Sequence, residues 1–257
     1  MFDALHKQIP ILAYHAIASA KDAELPNGWS KNHAVLLESF RSHLEFMRAA
    51  GWRALLPDAM EAAGRLRGEK HFILTFDDGH ASDVIAAETM KLFGYRAIFY
   101  VPWEHVGLPG FLGSAEIAAL AADGFAIGSH GMTHSPLTQK TDPELRDELF
   151  ESKVRLEDLI GRKVEDLALP FGRYDRRVIA MARAAGYRRI MTSNIGLART
   201  DESRVFPRFP VTSRTSLEDF RGMLLAGPVG MMRRRLLHAI SRRLMPPRNV
   251  FNDPAKI

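Results

Sequence analysis

Two adjacent carboxylates close an apolar run, Ile73-Leu74-Thr75-Phe76-Asp77-Asp78-Gly79. Like charges side by side at the end of a buried strand raise each other's pKa unless something neutralises one of them. A metal ion does that: one Asp binds it and the other stays free as a base. A strand followed by an Asx turn gives the same letters, because Asp-Gly is common turn chemistry. The pair therefore needs partners elsewhere in the chain. Ser129-His130-Gly131-Met132-Thr133-His134 offers them. His130 and His134 are four apart and share a face on a helical turn. Two imidazoles with one carboxylate suit zinc and leave positions open for water and substrate. Two surface histidines would show the same spacing; the Asp-Asp pair at another strand end favours ligands.

These side chains act together only if the intervening elements converge. Ile9 to Ile17 reads as a buried strand, and Val35 to Ala49 as a helix stopped by Gly51. Trp52 to Leu56 is a short strand, and Pro57 to Leu66 a helix with Pro57 near its first turn. The strand His71–Phe76 precedes a helix capped by Ser82 and closed by Gly94. Strands follow at Arg96–Val101 and Phe125–Ser129, with a helix from Ser114 to Asp123 between them. A long helix runs from Asp142-Pro143 to Gly161, with Asp as cap and Pro in the first position. Leu167–Leu169, a helix over Asp175–Ala185, Arg188–Thr192 and Phe206–Val211 complete the series. Strands alternating with helices of this length argue for parallel βαβ units. Seven or so such units predict one α/β barrel, residues 1–225, followed by a basic C-terminal helix and tail, residues 226–257. Such architectures place their sites at the C-terminal ends of strands. Those ends hold Tyr14-His15, Asp77-Asp78, the two-histidine segment and Pro170-Phe171-Gly172.

The chain has 257 residues, 46% of them hydrophobic, and no cysteine. Disulfide frameworks and thiolate metal sites are thereby excluded. The first seven residues lack the pattern of a signal peptide. No apolar stretch approaches the roughly 20 residues that span a bilayer, so a cytoplasmic protein is expected. Net charge is +5, yet residues 220–252 hold seven arginines and no acid, leaving the first 219 residues at −2. The basic character belongs to the tail, so nucleic-acid binding by the body is not expected. Residues 230–245 read as a basic amphipathic helix, packed on the barrel or peripheral on the anionic inner face of a membrane.

Thr75-Phe-Asp-Asp-Gly79 followed by Ser129-His-Gly-Met-Thr-His134 resembles the first two motifs of the polysaccharide deacetylase family (carbohydrate esterase family 4, the NodB-homology domain). Leu169-Pro-Phe-Gly172 resembles the core of its third. The resemblance covers roughly residues 8–215. It implies a distorted (β/α) barrel with about seven parallel strands, and metal-dependent N-deacetylation of an N-acetylated sugar or glycan. Carried over, it implies Asp78, His130 and His134 as ligands of a divalent metal, most simply Zn2+. It implies Asp77 as the general base, and the backbone N–H of Phe171, in Pro170-Phe171-Gly172, as an oxyanion donor.

The match also departs from the pattern. Ala168 stands where the third motif has an arginine that steadies the base. Arg208 could enter from another strand end; a surface arginine is the other reading. The histidine of the fifth motif, the general acid, is absent. Leu12-Ala-Tyr-His15 resembles a permuted branch with that histidine near the N-terminus, which makes His15 the candidate acid and Tyr14 a candidate substrate contact. Trp103 is a candidate for stacking on a sugar ring, or for packing. Two rival functions follow: a hydrolase of other non-peptide C–N bonds in small amides, and a non-catalytic glycan-binding module on the same scaffold.

Overall fold

The computed structural model describes residues 8–19, 31–60, 69–199 and 204–224. The expected helix beyond Met60 and the expected basic tail, residues 226–257, lie outside these described residues. Pro10 has no N–H to give a ladder, and the run expected over Ile9–Ile17 forms three strands: β1 (Gln8–Ile9), β2 (Ile11–Tyr14) and β3 (Ala16–Ala18). The start of the expected first helix is instead extended, as β4 (Ala34–Leu36), and α1 (Leu37–Ala49) follows. Next come β5 (Trp52–Ala54), β6 (Lys70–Phe76), α2 (Asp83–Lys91), β7 (Ile98–Val101), α3 (Ser114–Ala122) and β8 (Ala126–Ser129). Then come α4 (Asp142–Ile160), β9 (Asp166–Ala168), α5 (Arg176–Ala184), β10 (Arg189–Met191) and β11 (Ala198–Arg199). The last elements are β12 (Val205–Phe206), β13 (Phe209–Pro210) and α6 (Leu217–Leu224).

Nine strands form one sheet in the order β12-β10-β9-β8-β7-β6-β2-β13, with β5 added beside the first residues of β6. All its pairings are parallel. The last predicted strand is split: β12 lies at one end of the sheet and β13 at the other, with only Pro207 and Arg208 between them. The sheet curls until its ends are two residues apart in the chain, a distorted barrel with a seam. Among the described residues no ladder joins β12 to β13.

Alternation along the strands divides the core. Ile11, Ile73, Ile98, Tyr100, Met191 and Phe206 pack inside the curl. Their neighbours Leu12, Leu74, Phe99 and Ile190 belong to the larger cluster that also holds helix residues such as Leu44, Met90 and Leu149. Both faces are buried, which is why these strands read as unbroken apolar runs. Two helix starts differ from expectation. Ser82 has helical backbone angles and does not cap α2; its hydroxyl accepts from Ile17 N–H instead. Thr141, not Asp142, caps α4, and Glu144 accepts from its N–H and hydroxyl. No helix among the described residues is long and apolar enough to cross a membrane.

Candidate active site

The C-terminal ends of β6 and β8 carry the residues singled out first. Asp77 follows β6, and its N–H donates to Tyr14 O across the β2 ladder (3.0 Å). Its carboxylate is 4% exposed and is held in a fork. Arg208 Nη1 and Nη2 donate to Asp77 Oδ1 and Oδ2, each at 2.7 Å. Arg208 Nη1 also donates to Thr75 Oγ1, and Nε to Thr192 O, both at 3.1 Å. The arginine therefore reaches the base from the barrel seam, while Ala168 is part of the inner cluster. Burial pushes Asp77 upward, but the Arg208 guanidinium, together with His130 and His15, outweighs it and leaves the carboxyl below its usual range.

Asp78 turns the other way. Its Oδ1 lies 3.1 Å from His130 Nε2 and 3.0 Å from His134 Nε2. Burial raises its pKa, and the two histidines more than reverse that, holding it well below the usual carboxylate range. His130 Nδ1 pairs with Ala168 O at 2.7 Å, which directs Nε2 into the cluster. Three non-glycine residues among those described have positive φ: Asp78 (77°), His134 (55°) and Phe171 (58°). All three are candidate site residues, the pattern of strain held at a functional site.

One donor atom from each of Asp78, His130 and His134 lies within 4.8 Å of the others. A carboxylate oxygen and two imidazole nitrogens, one with its second nitrogen pinned to a carbonyl, fit a divalent cation of the zinc type. The histidine loop is fixed by a residue that the sequence reading passed over. Buried Glu148 of α4 accepts from Met132 N–H (2.8 Å), Thr133 N–H (3.0 Å), the Thr133 hydroxyl and Lys140 Nζ (2.9 Å). Its signal was present: an acid on the apolar stripe that contains Leu145, Leu149, Ser152 and Leu156.

His15 follows β2, with its ring 4.5 Å from that of His33. Burial lowers its pKa to about 4 against the pull of Asp78 and Asp77. Pro170, Phe171 and Gly172 form a 3-10 turn after β9. Pro170 is buried, and the Phe171 ring lies outward, 51% exposed and 5.0 Å from the His134 ring. Gly172 (φ 61°) has no room for a Cβ, which would sit 2.6 Å from Ser193 N.

Two expected contacts are corrected. Tyr14 does not join the site: it is fully buried, its hydroxyl bonds His43 Nδ1 at 3.0 Å, and its ring packs between Phe40 and Phe76. Trp103 packs against the large core cluster with Arg155 of α4 over its ring, the packing role rather than a free stacking face.

Residues 65–190 match the family model described as polysaccharide deacetylase. That stretch holds Asp77, Asp78, His130, His134 and the Pro170–Gly172 turn, and leaves out His15 and Arg208. YxkH of Bacillus subtilis (strain 168), which its name assigns provisionally to the polysaccharide deacetylases, is 25% identical over 199 residues, 76% of this chain and 68% of YxkH. Peptidoglycan-N-acetylglucosamine deacetylase PgdA of Listeria monocytogenes serotype 1/2a (strain 10403S) is 26% identical over 116 residues, 44% of this chain and 24% of PgdA. The chain thus spans about a quarter of that protein. The solved structure of the Streptococcus pyogenes deacetylase PplD in complex with acetate has a TM-score of 0.76 to this fold at 23% identity, covering 84% of this chain and 98% of PplD. Likeness at that identity shows the shared fold.

Proposed function

The chain belongs to the polysaccharide deacetylase family, and from that premise we propose that it hydrolyses the acetamide of an N-acetylated sugar or glycan, releasing acetate and a free amine. One observation carries the reading: a buried carboxylate, Asp77, stands apart from the Asp78–His130–His134 cluster and is locked by the Arg208 fork. A glycan-binding module would have no use for an ionised, oriented base beside a cation site.

Asp78, His130 and His134 would hold the divalent cation. Bound there, it would polarise the acetamide carbonyl and make water a stronger acid. Asp77 takes a proton from the attacking water, and Arg208 keeps that carboxylate ionised and aimed. The water oxygen bonds to the carbonyl carbon, and the backbone N–H of Phe171 donates to the oxyanion that forms. Collapse breaks the C–N bond, and His15 gives a proton to the departing nitrogen. His15 is neutral in the resting protein, so the proton it gives is one it takes up from solvent as negative charge builds beside it, and Asp77 returns its own proton to solvent as the products leave.

The acetate in the PplD complex and the N-acetylglucosamine in the name of PgdA suggest the first substrates, N-acetylglucosamine oligomers. Acetate release from them is the test, run beside small amides and ureides. Asp77→Asn should lose on the order of a hundredfold or more in turnover while elemental analysis finds its metal content unchanged. Full activity in that variant would remove Asp77 as base. Turnover of small amides alone would favour the other C–N hydrolase.

A further inference from the structure

The Asp78 loop and the histidine loop extend from β6 and β8, with β7 between them. The segment that follows β7, residues 103–112, is tied to both. On one side, Trp103 N–H donates to Gly131 O (3.1 Å) and Glu104 N–H to Met132 O (2.9 Å). On the other, Leu112 N–H donates to Gly79 O and Ala81 N–H to Gly110 O, both at 2.9 Å. Gly107 N–H donates to Leu112 O (2.9 Å) and closes the segment on itself. His105 lies within this strap. Its ring centroid is 4.4 Å from that of Phe111 and 5.5 Å from that of His134.

We propose that the 103–112 strap sets the spacing between Asp78 and the two histidines, and that His105 is a positioning residue for the cation they would hold. The inference rests on the metal reading above. The sheet fixes where the strands end, but not how two loops beyond it stand to one another. The strap supplies that link with two hydrogen bonds to each loop. His134 needs such a brace, because its backbone holds a left-handed conformation that an unsupported residue leaves readily (φ 55°). The ring of His105 packs towards His134 and also hydrogen-bonds the Asp78 backbone, so it bears on both loops.

The test is zinc affinity, read by competition with a chromophoric chelator, together with the visible spectrum of the cobalt-substituted protein. His105→Ala should bind zinc about 10–100-fold more weakly and show altered cobalt bands. His105→Phe, which keeps a ring against Phe111 and His134 but loses the bond to the Asp78 backbone, should fall between His105→Ala and the parent. Parental affinity and spectrum in His105→Ala would overturn the proposal. Equal weakness in His105→Phe would also overturn it, by showing that the ring's place beside His134 contributes nothing. Thermal melts of the metal-free proteins show whether each variant folds; His105→Leu replaces the Ala variant if that one does not. Asp78→Asn and His134→Ala run alongside. If neither weakens zinc binding, the site assignment itself fails, a result separable from any effect at His105.

Discussion

Arg208→Ala tests how the site is built. The side chain is 2% exposed, and its donors serve both Asp77 oxygens, Thr75 Oγ1 and Thr192 O. Removing one partner of a buried ion pair costs about 3–5 kcal/mol, because the other charge remains without compensation. A domain of ordinary stability has only about 5–15 kcal/mol in total, so the variant should fold with a thin margin. Turnover should fall on the order of a hundredfold or more as the base loses its orientation. Zinc binding should change little, since Asp78, His130 and His134 do not touch the fork. Arg208→Lys keeps the charge but replaces a planar fork with a point donor, and should fall between the two. The double variant Arg208→Met with Asp77→Asn removes both charges, and its stability loss should be smaller than the sum of the single losses, by roughly 0.5–3 kcal/mol. Denaturant unfolding, acetate release and a zinc titration on the parent, these variants and the single variants Arg208→Met and Asp77→Asn make the measurement. Parental turnover in Arg208→Ala, or strictly additive stability losses, would refute the reasoning.

Glu148→Gln should destabilise the fold by about 1.5–3 kcal/mol, the range for a hydrogen bond to a charged group, and weaken zinc binding; unchanged melting and affinity would show that the 130–134 loop does not depend on it. Stability should also fall between pH 6.5 and 4. His43 is 1% exposed and held at about 4 by burial, so on acidification the unfolded chain takes up the proton first. Its contribution is whole above about pH 6.5 and is lost towards the folded value, amounting to about 2 kcal/mol at pH 5. His15 and His105, also held at about 4, act with the same sign. Urea unfolding at pH 7 and pH 5 checks this, and equal stabilities would contradict it.

The barrel was legible because its strands are buried on both faces and its helices carry clear stops. The candidate cluster was legible because Asp78 and His130 stand just past strand ends and His134 follows four positions on. Tyr14 misled for a reason the sequence already contained: side chains alternate along a strand, so Tyr14 and its neighbour His15 do not face the same way. For Trp103 the two readings, stacking and packing, had no local discriminator, because packing depends on its loop folding back against α4. Glu148 was hidden inside a helix whose apolar neighbours drew the attention. Arg208 was visible as a candidate to stand in for the missing arginine, but nothing local separated that reading from a surface arginine. Nothing local tells that Phe206–Val211 divides between the two ends of the sheet, because that depends on how far the sheet curls.

That division has a consequence for when the site comes into being. Asp77 and Arg208 are separated by 131 positions in the chain. A chain that has laid down residues up to about 200 already possesses Asp78, His130 and His134, the three candidate ligands of a cation. It does not yet possess a supported base. Arg208 arrives only when the last two strands dock on opposite edges, so the act that completes the barrel also arms its chemistry. Under the proposed function, an incompletely folded chain has the candidate ligands but no fork to aim its base, and hydrolytic competence becomes a report on the final step of assembly.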